Sequence, residues 1–256
     1  MKKKIKILIY IFLLIILLSL TTFTIYNNFF KPKPKLSPKI QKIIDDNKKN
    51  IKQPQTNLDS NENYISKIND YRAKYNNNNI QARLIIRSLN IDLLITRGND
   101  NNFYLNHNIY NYYDELGTPF LDYRNLDIEN DRQINIYGHN TENEKYYDQL
   151  PLVYLEAYTD EYFFKTNKEI ILETEKNQKK YQVIAIKIIK NKNEEHMNLS
   201  YSNDTEWMNH MNRLLSNALY IDLNMLTETD KFLVLQICHY NPKGSYLLVI
   251  GKEISS

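Results

Sequence analysis

Gln133-Ile-Asn-Ile-Tyr-Gly-His139 and Phe232-Leu-Val-Leu-Gln-Ile-Cys238 decide how this chain reads. Each is a short, largely apolar run with β-branched residues, the composition of a buried strand. Each also ends on a side chain with chemistry. Cys238 is the only cysteine in 256 residues. A thiol and an imidazole at two strand ends are the minimal set for covalent catalysis, the sulfur as nucleophile and the ring as acid/base partner. His239 adjoins Cys238, but neighbours on a strand point to opposite faces, which leaves His139 as the expected partner.

Similar runs lie at 83–86, 91–95, 169–173, 181–189 and 246–250, separated by Gly, Asn, Asp or Pro. This spacing predicts a mainly β fold, a closed or nearly closed barrel of seven or eight strands. Peripheral helices are expected beside it. One covers 61–75, with Ile65, Ile68, Tyr71 and Tyr75 near the 3.6 period and Ser60 as its cap. A longer one follows Asp204 as candidate cap, with Trp207, Met208, Met211, Leu214, Leu215, Ala218 and Leu219 as one apolar stripe. Shorter helical segments are expected over 146–154 and 159–165.

Working towards the N-terminus, Lys2, Lys3, Lys4 and Lys6 precede an apolar, uncharged stretch from Ile7 to Tyr26. At about 1.5 Å per residue it matches a bilayer core of about 30 Å. The basic flank predicts a cytoplasmic stub over 1–6, a single-pass transmembrane anchor over 7–26, an extracellular linker over 27–59 and a catalytic domain over 60–256, outside the cell membrane. Ser19-Leu-Thr-Thr-Phe-Thr24 offers no Ala-x-Ala-like cleavage site, which favours an anchor over a removed signal peptide. Lys31-Pro-Lys-Pro-Lys-Leu-Ser-Pro38 reads as a stiff, extended stalk.

Composition narrows the chemistry further. A single thiol excludes an intramolecular disulfide, and a net charge of +3 gives no reason to expect nucleic acid. No spacing fits zinc or an EF-hand, so neither metal nor cofactor is expected. His107, His196 and His210 lie in polar segments and read as solvated. Asp122 and Arg124 read as holding a loop.

Gly117-Thr-Pro-Phe-Leu-Asp-Tyr-Arg-Asn125, Ile134-Asn-Ile-Tyr-Gly-His-Asn140 and Leu233-Val-Leu-Gln-Ile-Cys238, in this order and separation, resemble the three landmark segments of the sortases. These are membrane-anchored cysteine transpeptidases of Gram-positive bacteria. The helix before the cysteine strand and the helix ahead of the barrel make class B the nearest resemblance, over roughly residues 60–254. The resemblance implies that Cys238 attacks a threonine carbonyl in the sorting signal of an exported surface protein. A thioacyl enzyme forms, and His139 serves the departing and the incoming amine. The second partner is then an amine of a peptidoglycan precursor, and the product is a wall-anchored protein.

Two departures accompany the resemblance. Sortases place a threonine before the cysteine, where this chain has Ile237. Their third catalytic residue is an arginine on the next strand, where this chain has Tyr246, and no arginine follows Cys238 at all. Tyr246, as a hydrogen-bond donor, and Lys243, as the nearest cation, are the candidate substitutes. A catalytically impaired sortase-like binding module and a surface domain with no site stay open as alternatives. Gln53-Pro-Gln-Thr-Asn57 resembles a class B sorting signal; chance in an Asn- and Gln-rich linker or an internal pseudosubstrate would explain it.

Overall fold

In Ile80–Ile86 buried and half-exposed side chains alternate without a break, the mark of a strand with one face on a core. The computed structural model describes residues 2–25, 36–50, 64–190 and 195–254, and in it this strand (β1) pairs antiparallel with Ile91–Thr96 (β2). Asn90, at φ 53°, lets the chain turn back between them. Phe120–Leu121 (β3), Gln133–Gly138 (β4), Glu169–Glu173 (β5), Gln178–Lys190 (β6), Tyr220–Ile221 (β7), Phe232–His239 (β8) and Ser245–Ile254 (β9) complete the sheet. The order is β5-β1-β2-β3-β4-β8-β9-β6-β7, and β5 also pairs with β6. Eight strands thus close into a barrel, with β7 attached to the free side of β6. All seven strands expected from sequence are present. β3 and β7 have two residues each, too short to show any alternation.

Inward-facing Leu84, Ile136, Leu235, Ile237, Leu247 and Val249 fill the barrel and are fully sealed from solvent. The opposite face of β8 and β9 presents Phe232, Val234, Leu248 and Ile250 to a second cluster.

Five α-helices accompany the sheet among the described residues. Lys2–Ile25 (α1) belongs to a compact unit of its own, residues 1–35, and its apolar side chains from Tyr10 to Leu20 stand exposed. The described residues contain no helix long and apolar enough to cross a membrane; side chains near both ends of α1 lie outside them. The anchor over 7–26 therefore rests on the sequence. The Lys-Pro stalk through Lys35, Ser60 and the 53–57 segment also lie outside the described residues.

The segment expected as linker holds a helix instead. Pro38–Asn50 (α2) is amphipathic, and Ile40 and Ile44, at 2% and 0% exposure, enter the barrel's own core cluster. The folded unit consequently begins at Leu36 rather than at residue 60. Lysines and asparagines on the outer face of α2 hide this periodicity from a compositional reading.

Ile68–Tyr75 (α3) starts later than the predicted 61–75. A 3₁₀ helix at Pro151–Thr159, Glu161–Thr166 (α4) and Asp204–Leu215 (α5) follow. The cap of α5 is Asn203, one residue before the expected Asp204, and its Oδ1 accepts the Glu206 N–H at 2.9 Å. Trp207, Met211, Leu214 and Leu215 cover the second cluster as the stripe predicts. Ala218 and Leu219 fall beyond the helix end.

Asp122 fastens the segment between β3 and β4. Its buried carboxylate accepts from the Arg124 N–H at 3.0 Å and the Arg124 side chain at 2.8 and 2.7 Å, from Tyr137 at 2.8 Å and from Asn101 at 3.0 Å. Burial pushes this carboxyl up, but the donors from Arg124, Tyr137 and Asn101 outweigh it and hold it below the ordinary range. Its stabilisation is thus complete above the pKa of an unfolded aspartate and is lost as pH falls through the lowered folded value.

Two stability measurements check these assignments. Ile44→Ala should cost about 2–5 kcal/mol in urea unfolding, whereas a residue in a free linker would cost nothing measurable. Asp122→Asn should cost about 2–3 kcal/mol at neutral pH, with the difference from wild type shrinking on acidification through the folded carboxyl's titration.

Candidate active site

β4 and β8 are parallel neighbours, in register from Gln133 opposite Phe232 to Gly138 opposite Ile237. One step further along both strands sets His139 beside Cys238, on chains about 4.8 Å apart. Residues level with one another on adjacent strands point to the same face. That face is the outer one, because Ile237 and Leu235 point into the barrel. Gly138 permits the close approach of the helix at Pro151–Thr159: a Cβ there would lie 2.4 Å from Leu152 Cδ1.

His139 is oriented by a backbone group. Its Nε2 donates to the Leu105 carbonyl at 2.6 Å. A carbonyl only accepts, so Nε2 carries the hydrogen and Nδ1 is the nitrogen left for proton exchange. The Leu105 carbonyl is itself set by Gly117, at φ +61°, where a Cβ would lie 2.7 Å from that oxygen and 2.5 Å from the Tyr104 carbonyl. The loop from Arg97 to Pro119 thereby controls the imidazole without offering it a side-chain partner.

Cys238 is half-buried. Burial pushes its thiol above the ordinary cysteine value. At neutral pH the sulfur consequently rests as a thiol.

Tyr246 on β9 stands directly opposite Cys238 and packs against the α5 cluster. Lys243 lies on the exposed β8–β9 turn. Register thus puts His139 and Tyr246 on the chains flanking Cys238, whereas Lys243 stays on the exposed turn. His239 points the other way, into the protein, at 3% exposure.

His196 and His210 are not solvated: each is 1% exposed. His210 Nε2 meets Gln133 Oε1 at 2.8 Å, and His196 Nε2 meets Gln236 Oε1. The cause is a polar row, Gln133, Asn135 and Gln236, on the outer face of β4 and β8. The row buries under α5 and the turn at Glu195–Met197, and it supplies partners that no local reading of either histidine reveals. His196 is held below the ordinary histidine range by burial.

A cavity of about 630 Å³ opens at His139, lined by Tyr113, Asp114, Leu116, Asn140, Thr141 and Tyr146 among others. A second, of about 580 Å³, is lined by Lys187, Ile189, His196 and Arg213 among others. Ile189 is the strand neighbour of Tyr246. Among the described residues no group of His, Cys, Asp or Glu is arranged to hold a metal ion. Sequence reasoning missed the Leu105 carbonyl, which leaves no trace in residue identity. It also gave no role to Asn140, although that residue closes the Tyr-Gly-His-Asn run.

No family model matches the chain. Among curated proteins it is similar to sortase B of Listeria monocytogenes, 22% identical over 162 residues, which make up 63% of this chain and 63% of that relative. The match thus spans slightly under two thirds of the relative's length. Sortase B of Clostridium perfringens is 25% identical with a TM-score of 0.66, over 73% of this chain and 99% of that one. A Streptococcus pyogenes class B sortase involved in pilus biogenesis is 24% identical with a TM-score of 0.62, over 73% and 97%. A Staphylococcus aureus sortase B in complex with substrate is 18% identical with a TM-score of 0.66, over 85% and 92%, a likeness of fold alone.

Alkylation of Cys238 by iodoacetamide should accelerate with pH, with its midpoint above that of an ordinary cysteine; a plateau already reached near neutrality would contradict a protonated resting thiol. Gly117→Ala should displace the Leu105 carbonyl and shift the His139 ring resonances in a proton NMR spectrum, leaving those of His210 in place.

Proposed function

We propose that this chain, a sortase by fold and by its similarity to class B enzymes, is a membrane-anchored cysteine transpeptidase that joins exported proteins to a cell-wall amine. One observation supports the reading: β4 and β8 run parallel and in register up to Gly138 opposite Ile237, and His139 and Cys238 are the residues that follow that last pair.

In this reading the Cys238 thiol gives its proton to His139 Nδ1 as the sulfur adds to the carbonyl of a threonine in the sorting signal. The tetrahedral intermediate collapses, the C–N bond breaks, and the imidazolium returns the proton to the departing amine. A thioester now holds the exported protein on Cys238. An amine of a peptidoglycan precursor attacks it, His139 takes the amine's proton, and the C–S bond breaks to regenerate the thiol. The product is an amide. Water in place of the amine makes the same sequence a hydrolysis.

Oxyanion stabilisation is the unusual part. Tyr246 stands opposite Cys238 on β9; the sequence resemblance aligns it with the family's arginine, and its phenol is a neutral donor rather than a charged fork. Losing one strong oxyanion donor costs about 10²–10³ in rate, so a slow enzyme is the expected result. Tyr246 is favoured over Lys243 as the substitute because it faces the sulfur's strand directly. The anchor and the outward orientation rest on the basic stub and the uncharged stretch from Ile7 to Tyr26. A second reading, a sortase-like module that binds a wall protein without cutting it, is favoured by the same Tyr246.

Incubating the protein with threonine-containing pentapeptides, Asn-Pro-Gln-Thr-Asn among them, should produce a thioacyl adduct on Cys238 by mass spectrometry, absent from Cys238→Ala and discharged by added amines. A thiol that alkylates readily yet never acylates would favour the binding module. Tyr246→Arg should accelerate turnover by about 10²-fold, and Tyr246→Phe should slow it more than Lys243→Ala does.

A further inference from the structure

The β4–β8 ladder ends at Gly138 and Ile237, one residue short of the two groups that matter. Beyond it a side chain continues the pairing. Asn140 Nδ2 donates to the Cys238 carbonyl at 2.6 Å and also to Glu156 Oε1 at 2.9 Å. The same Glu156 oxygen accepts from His239 Nδ1 at 2.8 Å. Asn140 Oδ1 accepts the Thr141 N–H at 2.8 Å, and the Tyr240 hydroxyl donates to the Asn140 carbonyl at 2.8 Å. Asn140 directly follows His139, and His239 directly follows Cys238. One carboxylate therefore ties together the residues just past both reacting groups.

The tie is sheltered and rigidly delivered. Asn140 is 8% exposed, and the His239 and Glu156 side chains are 3% and 12% exposed. Glu156 belongs to the 3₁₀ helix at Pro151–Thr159, whose Leu152, Val153, Leu155 and Ala157 are locked into the barrel core. The His239 ring is buried, and its Nδ1 bond to Glu156 ties it to the 3₁₀ helix. β8 stays paired with β9 through His239 opposite Ser245, so it is the chain beyond Gly138 of β4 that would otherwise be free to splay. A misplacement of about 1 Å between reacting groups costs about 10²-fold in rate.

We propose that Glu156 is a positioning residue for the reaction: by bridging Asn140 and His239 it fixes the separation and facing of His139 and Cys238 where the β4–β8 ladder ends. It touches neither substrate nor sulfur. The inference rests on the transpeptidase reading above.

The test is steady-state transfer of a threonine-containing peptide to an amine by the full chain and by Glu156→Ala, Glu156→Gln, Asn140→Ala and the Glu156→Ala/Asn140→Ala double variant. Expected are a kcat lowered about 10-fold or more in Glu156→Ala with KM within about twofold, a smaller loss in Glu156→Gln, which keeps an accepting oxygen, and a double variant no worse than its worse single. A kcat within about twofold of wild type, a rise in KM in place of the fall in kcat, or losses that multiply in the double variant would overturn the proposal. Should Glu156→Ala lack the near-ultraviolet circular dichroism of the folded protein, Glu156→Gln and Asn140→Ala decide it by the same kcat and KM criteria. A wild type that forms no thioacyl adduct removes both this inference and the function it rests on; an active wild type with unimpaired variants removes this inference alone.

Discussion

The parallel pairing of β4 with β8 is the constraint on which everything else depends. These strands are far apart in sequence, and nothing local compels them to meet. What brings them together is the requirement that every apolar strand bury one face in a barrel without free edges. Ile134, Ile136, Leu233, Leu235 and Ile237 all point into that interior. A slip of one residue would send each of them outward and would turn the sulfur towards the hydrocarbon. The chemistry is in this sense a by-product of core packing, since the register that hides the isoleucines exposes His139 and Cys238.

The outer face built by that register carries a buried polar row beside the apolar cluster of Phe232 and Val234. Gln133, Asn135, Tyr137 and Gln236 lie beneath α5 and the turn at Glu195–Met197 and bond to one another, to His210 and to the backbone of His196. A buried polar row is stable only when its members are satisfied. Here they largely are, which leaves a firm floor beside the reacting groups. Cys238, half-buried at the end of this row, keeps its proton because burial disfavours the thiolate.

Much of this was legible in the amino-acid order. The seven longer strands, the stripe from Trp207 to Leu215 and the two strand-end residues all follow from periodicity, and the barrel follows from their number. What escaped reading did so for identifiable reasons. β3 and β7 are bridges of two residues, defined by their partners rather than by any pattern. The periodicity of α2 is carried by Ile40 and Ile44 within a run of lysines and asparagines that resembles a tether. His196 and His210 look solvated because their neighbours in sequence are polar, whereas their neighbours in space are a helix and a sheet. The Leu105 carbonyl is invisible in principle, since every residue has one; only Gly117, whose lack of a Cβ admits it, leaves a mark.

The order of strands has a consequence for how the chain matures. β4 meets β8 only when the segment between them is looped back, so this pairing has a large sequence separation and must overcome loop-closure entropy. A polypeptide emerging N-terminus first carries the imidazole long before the sulfur exists to receive it. The juxtaposition of the two side chains therefore arrives with barrel closure, and a chain truncated anywhere before Phe232 lacks both β8 and the sulfur it carries.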